Sequence, residues 1–376
     1  MSMADKPDNS TTDSLECSDA LHYHYLVRND RRAAYSDIIC RSLVNYPKER
    51  RSDEGNAAAP TRPCDNLVPI TGSFFVLGDT PDDSHWISPN AMQKELGYMH
   101  EIGMDTIVIT TGIGDKVCYP SSVLRHAAKS DLLDMLLRQA GSLGMSVFVG
   151  LPSLLVDWMI ATDEELDRVC STTRQLAAEL AANYGGHKSF HGWYLSYELC
   201  NVFIENRSDP RILPAWIGRL RTICKDVAPD KPVMIAPYFT STMPLERFEA
   251  LWDMVMDQTK VDILAMQDGV GIYGGDRLAE VDAHFSILRK LCDRRMVSLW
   301  ADLEIFQQIS GIPFDQKPWS AIPASVDRLT EQIMALSCHV RKIVMFCFSS
   351  YMSPAASQSA SMLFDAYKSE WNLRHG

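Results

Sequence analysis

Two glutamates stand at the ends of apolar runs whose length and composition are typical of buried β-strands. The fourth such run ends in Tyr-Leu-Ser-Tyr-Glu at 194–198, and the seventh ends in Leu-Trp-Ala-Asp-Leu-Glu at 299–304. One carboxylic acid can protonate a leaving oxygen while a second carboxylate attacks or stabilises a positively charged carbon. Glu198 and Glu304 together therefore indicate cleavage or transfer of a glycosidic bond.

Alternation along the seventh run places two acids on one face. Successive side chains of a strand point to opposite sides, so Trp300, Asp302 and Glu304 face the barrel axis and the apolar residues between them face outward. On the fourth run, Glu198 and Tyr194 are an even number of residues apart, so their side chains point to the same face. Acids on an inward face are unfavourable unless they are solvated, hydrogen-bonded or used in chemistry. A structural role remains open for each, because a strand-end carboxylate can cap a helix or pair with an arginine.

The substrate of such a pair is a carbohydrate or glycoside, whose rings offer apolar faces and hydroxyl groups. Aromatic side chains stack on the faces, and polar side chains bind the hydroxyls. Residues of both kinds stand in or after the predicted strands. The predicted substrate-binding residues are Asp302, Tyr197, Gln267, Asp268, Tyr238, Trp300, Trp86 and Tyr351. The spacing of the two carboxyl groups, about 5–5.5 Å or roughly 6.5–9.5 Å, would decide between retention and inversion.

Neither a cofactor nor a metal is predicted. The sequence contains no H-E-x-x-H or G-x-S-x-G motif, and no glycine-rich nucleotide loop follows a predicted strand. Lys and Arg total 36 against 48 Asp and Glu, and the formal charge of −12 disfavours nucleic acid. No apolar run approaches the roughly 18 residues of a membrane span. The expected partner is a small molecule or oligosaccharide, and the oligomeric state is left open.

Eight β-rich apolar runs alternate with longer stretches of helical periodicity. The runs begin near Ile70, Asp105, Met145, Phe190, Pro232, Asp262, Val297 and Lys342. Parallel neighbours need long return connections, and the missing nucleotide loop argues against an open doubly wound sheet. The pattern therefore predicts an α/β fold, a (β/α)8 TIM barrel. Functional side chains of such barrels lie at the C-terminal ends of the strands, where both glutamates stand.

Capping residues predict where several helices begin. The predicted starts are Ser88-Pro89, Ser130, Thr162 with Glu165 three residues later, and Ser353-Pro354. Four glycines after the sixth strand, at 269, 271, 274 and 275, predict a flexible loop at the barrel rim.

The chain divides near residue 66. Residues 1–66 are polar and irregular and predict an N-terminal extension that is partly disordered or helical, and residues 67–376 predict the barrel. The ten cysteines form no C-x-x-C pair, which predicts mostly buried, reduced thiols. Because the sequence also lacks a recognisable signal peptide, a cytoplasmic location is expected.

Several sequence segments resemble those of a family of uncharacterised, glycoside-hydrolase-like TIM-barrel proteins and, more distantly, those of the clan A glycoside hydrolases. They include Ile70-Thr-Gly-Ser-Phe-Phe, Gly192-Trp-Tyr-Leu-Ser-Tyr-Glu198 and Trp300-Ala-Asp-Leu-Glu304. This resemblance implies that Glu198 is the acid/base and Glu304 the nucleophile. Clan A enzymes usually carry Asn before the acid/base, where it binds the sugar 2-hydroxyl. Tyr197 occupies that position here, which weakens the case for standard retaining hydrolysis; Gln267 or Asp268 could supply the hydrogen bonds instead.

Two hypotheses follow from these residues. The first is a glycosidase or transglycosidase that uses Glu198 and Glu304. The alternative is a non-hydrolytic barrel, either a sugar-binding protein or a biosynthetic enzyme that uses the same pocket for a non-sugar substrate.

Overall fold

A closed barrel of eight parallel strands forms the centre of the molecule. The computed structural model describes residues 66–76, 88–128, 130–155, 157–240, 243–274, 277–311 and 317–375. The barrel strands are β1 (Ile70–Val76), β2 (Thr106–Thr110), β3 (Ser146–Leu151), β4 (Phe190–Leu195), β5 (Val233–Ile235), β6 (Ile263–Gln267), β7 (Ser298–Glu304) and β8 (Lys342–Phe346). Each strand pairs with its neighbours in the chain, and β1 also pairs with β8. The predicted TIM barrel is confirmed, whereas the predicted N-terminal extension falls almost entirely outside the described residues.

A longer helix follows each strand and packs outside the barrel. These helices are α1 (Pro89–Glu101), α2 (Leu132–Ser142), α3 (Asp163–Tyr184), α4 (Ile212–Val227), α5 (Leu245–Thr259), α6 (Arg277–Arg295), α7 (Val326–Ser337) and α8 (Gln358–His375). Ser88 caps α1 as predicted, and Thr162 and Glu165 form the predicted capping box of α3.

Two predicted helix starts are wrong. Asp131, rather than Ser130, caps α2, because its carboxylate accepts a hydrogen bond from the backbone N–H of Asp134 at 2.8 Å. The last helix begins after Ser357, whose hydroxyl accepts from the N–H of Ala360 at 3.1 Å. Ser353 instead donates a hydrogen bond to Glu95 of α1.

Smaller elements elaborate the C-terminal ends of the strands. Short helices at Asn201–Glu205, Val270–Tyr273 and Phe348–Tyr351 follow β4, β6 and β8. An antiparallel hairpin of Phe306–Ser310 and Ser320–Pro323 follows β7. These additions surround the end of the barrel at which the sequence predicts the site.

Aromatic side chains fill the barrel interior in layers. Trp300 of β7 contacts Phe148 of β3 across the barrel, with ring centroids 5.4 Å apart. Phe74 of β1 meets Tyr194 of β4 at the same distance. These rings fill part of the interior, and functional side chains of such barrels lie at the C-terminal ends of the strands.

A buried acid ties the first helix to the segment that follows the last strand. Glu95 of α1 is buried, and its Oε2 accepts a hydrogen bond from the Ser353 hydroxyl at 2.7 Å. Its Oε1 has no hydrogen-bond partner among the described residues. Burial raises the pKa of Glu95 to about 7, while the Ser353 hydrogen bond opposes this shift.

Within the described ranges, the cysteines follow the prediction except at Cys338. Six of them are free and buried, namely Cys118, Cys170, Cys200, Cys224, Cys292 and Cys347. Cys338 is disulfide-bonded. The predicted reduced state therefore does not hold for every cysteine.

We predict that Glu95→Gln stabilises the protein increasingly as pH rises. With its pKa raised on folding, Glu95 binds its proton more tightly in the folded state, so the wild type loses stability between about pH 4.5 and pH 7. Glutamine stays neutral and can keep the Ser353 hydrogen bond. Urea unfolding should show no difference near pH 4 and a gain of up to about 3 kcal/mol above pH 7.

The matched control for this measurement is Glu164→Gln, which changes an exposed glutamate of α3 and should give no such pH-dependent gain. A Glu95→Gln variant that is less stable than the wild type at pH 8 would contradict the prediction.

Candidate active site

The carboxyl group of Glu304 lies buried at the C-terminal end of β7. Its side chain is 4% exposed, and Oε2 accepts a hydrogen bond from the backbone N–H of Ile272 at 3.0 Å. The N–H of Gly271 is a second backbone donor. Burial, followed by the nearby charge of Asp268, raises the pKa of Glu304, and the backbone donors and Arg328 oppose this shift. A dry carboxyl group with fixed donors is thus held at the barrel mouth.

The donors belong to the short helix Val270–Tyr273, which the sequence did not predict. The glycine-rich segment after β6 was expected to be a flexible loop, but part of it forms this helical turn against Glu304. A Cβ atom on Gly271 would lie 2.8 Å from Cβ and 2.9 Å from Oε2 of Glu304, and 2.6 Å from the carbonyl oxygen of Phe306. Glycine is therefore required at 271 by close approach.

Asp268 connects this helical turn to β7. The side chain is fully buried, and its Oδ1 accepts from the N–H groups of Val270 at 3.1 Å and Glu304 at 3.2 Å. Its Oδ2 accepts from the side-chain amide of Gln332 in α7 at 2.6 Å. Burial raises the pKa of Asp268, and these hydrogen bonds oppose the shift. Asp268 thus has the contacts of a residue that positions Glu304.

Arg328 supports the same segment from α7. Its guanidinium donates from Nη2 to the carbonyl oxygens of Glu304 at 2.8 Å and Phe306 at 2.6 Å, and from Nη1 to Gln307 at 3.0 Å. Burial lowers the pKa of Arg328, and the charges of Asp268 and Glu304 oppose this shift. This arginine holds the backbone on both sides of the turn from β7 into the hairpin.

Asp302 lies two residues before Glu304 on the same face of β7. It is 2% exposed, and its Oδ1 has no hydrogen-bond partner among the described residues. Burial is the largest cause that raises the pKa of Asp302 well above its usual value, followed by the charges of Glu304, Glu198 and Asp268. We call Glu198, Asp268, Asp302 and Glu304 the carboxyl cluster.

Glu198 is the member of the cluster that follows β4. It stands three residues beyond the end of that strand and is half-buried. Its charge contributes to the raised pKa values of Asp302 and of Tyr194 inside the barrel. The two acids predicted to work together, Glu198 and Glu304, therefore come to the same end of the barrel.

Two predicted binding residues lie near the cluster. Gln267, the last residue of β6, is in register with Asp302 and donates from Nε2 to the carbonyl oxygen of Ala236 at 3.0 Å. Tyr238 is half-buried beyond β5, and its backbone N–H donates to the carbonyl oxygen of Leu199, the residue after Glu198, at 3.1 Å.

Tyr197, predicted to bind substrate, points away from the cluster. It is 1% exposed, and its ring lies against Trp158 and Trp216, with centroid distances of 5.7 Å and 4.6 Å. Its hydroxyl accepts from the N–H of Leu154 at 3.1 Å. The outward direction follows from alternation, because Tyr197 has the opposite parity to Glu198.

Of the remaining predicted residues, Trp300 and Tyr351 lie in the described part of the chain. Trp300 faces inward but lies deeper, in register with Lys342 at the start of β8. Tyr351 is buried, with its ring centroid 5.3 Å from that of Phe306. Trp86 lies outside the described residues.

Sequence reasoning missed the groups that hold Glu304. Arg328 and Gln332 lie on α7 and showed no motif, and the contribution of Gly271 and Ile272 is made by backbone N–H groups. The one available signal was the glycine cluster after β6, since a glycine can mark close backbone approach.

In the described part of the chain, no group of three or more His, Cys, Asp or Glu residues is arranged to hold a metal ion. No helix within the same ranges is long and apolar enough to span a bilayer.

A family model described as Domain of unknown function (DUF4434) matches residues 70–358, which include the whole barrel sheet and the carboxyl cluster. The chain belongs to this family. No curated protein matches it in sequence.

Several solved structures share the fold of this DUF4434 chain. A Bacteroides thetaiotaomicron VPI-5482 protein, provisionally described as an alpha-L-fucosidase, has a TM-score of 0.68 and 24% identity, covering 84% of this chain and 99% of its own. The beta-glucosidase from Thermotoga maritima has a TM-score of 0.51 and 10% identity, covering 82% and 98%. The beta-galactosidase from the psychrophilic Marinomonas ef1 has a TM-score of 0.53 and 10% identity, covering 81% and 60%. At these identities the comparison confirms the predicted resemblance to glycoside-hydrolase barrels as a similarity of fold.

We predict that Gly271→Ala displaces the Glu304 carboxyl group. The added methyl group would overlap Glu304 and a backbone oxygen, so either the side chain or the helical turn must move. The expected loss in the free energy of unfolding is about 1–3 kcal/mol. Urea unfolding measures the loss, and a crystal structure of the variant would show the displacement.

Gly97→Ala in α1 is the control, because no atom lies within 4 Å of the added Cβ. It should leave stability unchanged or raise it by about 0.5–1 kcal/mol. Equal stability of the two variants, with Glu304 unmoved, would contradict the close-approach argument.

Proposed function

We propose that this DUF4434 protein is a glycoside hydrolase or transglycosidase in which Glu198 is the general acid/base and Glu304 is the nucleophile or charge-stabilising carboxylate. The observation that carries this proposal is that Glu198, beyond β4, and Glu304, at the end of β7, both act on the pKa of Asp302 at one end of the barrel while lying in unequal environments. Glu304 is buried and held by backbone donors, whereas Glu198 is half-buried.

Unequal environments suit the two roles. A nucleophile needs a fixed position relative to the anomeric carbon, and the contacts of Glu304 with the turn after β6 supply it. An acid/base must reach the glycosidic oxygen and exchange protons with water, which suits a half-buried residue beyond a strand end. The shared fold with glycoside-hydrolase barrels is consistent with this assignment.

In the proposed reaction, the Glu198 carboxyl proton passes to the glycosidic oxygen as the bond from that oxygen to the anomeric carbon breaks. If the mechanism retains configuration, a Glu304 oxygen forms a bond to the anomeric carbon, and water later displaces it while Glu198 removes a proton from the water. If it inverts, water attacks directly and one carboxylate accepts its proton.

The buried state of Glu304 favours stabilisation of the transition state over the ground state. In the free protein, burial and Asp268 favour the protonated form of Glu304. Positive charge developing on the sugar ring during bond cleavage favours the ionised form. The attraction between this carboxylate and the ring is therefore strongest at the transition state, which is the condition for catalysis.

Substrate contacts in this proposal come from polar and aromatic groups around the cluster. Asp302 and Gln267 stand side by side on β7 and β6, and Tyr238 lies beside the segment that carries Glu198. We assign these three residues to hydroxyl and ring contacts. Asp268 is assigned to positioning, because its oxygens accept bonds from within the protein.

One observation favours the alternative of a non-hydrolytic barrel. Clan A enzymes usually carry an amide immediately before the acid/base, and the residue here, Tyr197, is turned toward Trp216 instead. Aryl glycosides and oligosaccharides tested for both binding and turnover would separate the alternatives. Binding without turnover would favour a sugar-binding protein.

We predict that Glu304→Gln and Glu198→Gln each lower kcat/KM on the best aryl glycoside by about 10²–10⁴-fold without unfolding the protein. Each change removes an ionisable group while keeping the shape of the side chain. Glu249→Gln, at an exposed position of α5, is the matched control and should retain activity. Full activity in either active-site variant would remove that residue from the mechanism.

We also predict that the acidic limb of the kcat/KM pH profile lies well above the value of about 4.3 typical of a free glutamate. Turnover requires ionised Glu304, and its raised pKa means that ionisation completes only at higher pH. Activity should therefore rise with pH through that raised pKa. Circular dichroism over the same range controls for unfolding, and a limb at pH 4–5 would be incompatible with the buried carboxylate as nucleophile.

A further inference from the structure

Asp302 differs from the other buried members of the carboxyl cluster in what its oxygens contact. Asp268 accepts three hydrogen bonds through its two oxygens, and Glu304 accepts from backbone N–H groups. Asp302 is equally buried, yet its Oδ1 has no partner among the described residues. Buried polar atoms nearly always have a partner, so an unsatisfied one requires an explanation.

The surroundings of Asp302 disfavour its negative charge. Glu304, Glu198 and Asp268 all contribute repulsion, and burial adds a larger effect in the same direction. The Arg328 guanidinium donates to the carbonyl oxygens of Glu304 and Phe306 and is not among the charges that act on Asp302. An uncompensated anion in this position would destabilise the fold.

Stability alone does not account for this residue. An apolar side chain of similar shape would remove both the unpartnered oxygen and the charge repulsion. Asp302 also stands on the inward face, above the aromatic layers that close the barrel and about 6.6 Å along the strand from Glu304. Its place is therefore the floor of the proposed site.

We propose that Asp302 is protonated in the free protein and that its carboxylic acid hydrogen-bonds a ring hydroxyl of the bound glycon. This inference rests on the proposed function for the identity of the ligand. A neutral carboxylic acid offers one donor and an acceptor, which match a hydroxyl group, whereas a carboxylate only accepts. The ligand would then satisfy the atom that the protein leaves without a partner.

The first test needs no ligand. A proton held more tightly in the folded state makes the wild type less stable as pH rises above the unfolded value of about 3.9. Asp302→Asn is neutral at every pH, so its melting temperature should exceed that of the wild type at pH 8, and the difference should close toward pH 4. An Asn variant that melts below the wild type at pH 8, or one with no pH-dependent difference, would overturn the protonated state.

Asp253→Asn is the matched control, in which the change in stability with pH should have the opposite sign. Hydrogen bonds from Arg295 and Arg294 lower the pKa of Asp253, with burial opposing them. This variant should melt below the wild type at neutral pH and approach it on acidification. If Asp302→Asn does not fold, Asp302→Ser replaces it, because serine is also neutral and keeps a donor and an acceptor.

The second test concerns the hydroxyl contact. Asp302→Asn should keep kcat/KM on the best aryl glycoside within about tenfold, because the amide still donates and accepts, whereas Asp302→Leu should lose roughly 10²-fold or more. Among aryl glycosides that each lack one glycon hydroxyl, at least one should have a lower kcat/KM than the parent substrate with the wild type. The Leu variant should not distinguish that substrate from the parent. Equal activity of wild type and Leu variant, or equal loss in Asn and Leu variants, would overturn the contact.

These results separate the inference from the proposed function. If Glu304→Gln abolishes turnover and Asp302→Leu does not alter it, only the inference fails. If the wild type turns over no glycoside, the proposed function fails, and calorimetry with deoxynojirimycin, which carries ring hydroxyls, replaces turnover. Binding that is kept in the Asn variant and lost in the Leu variant supports the hydroxyl contact, and absence of binding to the wild type overturns it.

Discussion

The burial of the Glu304 carboxyl group is the constraint on which the C-terminal end of this barrel depends. A carboxylate removed from water is unfavourable unless nearby donors replace the lost solvation. The donors here come from backbone N–H groups of the turn after β6, so that turn must lie against β7, and Gly271 makes the approach possible. The shape of the loop after β6 is thus a consequence of the acid at the end of β7.

The contacts around Glu304 form a continuous network between two strands and a helix. Asp268 joins β6 to β7, Gln332 joins Asp268 to α7, and Arg328 joins α7 to the backbone at Glu304. Such a network fixes geometry but places several acids in a dry region beside the Arg328 guanidinium. Burial favours the protonated forms of Asp268, Asp302 and Glu304, so the fixed geometry is accompanied by a loss of stability.

The alternation of strand-like and helical runs, together with the capping residues, predicted the barrel. Side-chain alternation along the strands predicted the inward direction of Glu198 and Glu304. Both kinds of pattern are local in the sequence. Periodicity gives the face of a strand but not the depth of a residue, so Trp300 was grouped with the acids although it lies near the other end of the barrel. Tyr197 was also grouped with the binding residues, although alternation along the strand already placed its side chain on the outward face. Arg328 and Gln332 were not predictable, because contacts between distant segments leave no local pattern.

The outward position of Tyr197 changes which strands can recognise a ligand. Its hydroxyl and ring fix the end of β4 against Leu154 and Trp216, and alternation then turns Glu198 toward the mouth. A side chain committed to that anchoring role is not available to a sugar hydroxyl. In the proposed mechanism, hydrogen bonds to the sugar hydroxyls must therefore come from the opposite wall of the barrel mouth instead of from β4. Gln267 and Asp302 stand there in register on β6 and β7. A ligand held mainly by residues on the same side of the site as the nucleophile Glu304 explains both observations. These are the departure from the clan A pattern and the unpartnered oxygen of Asp302.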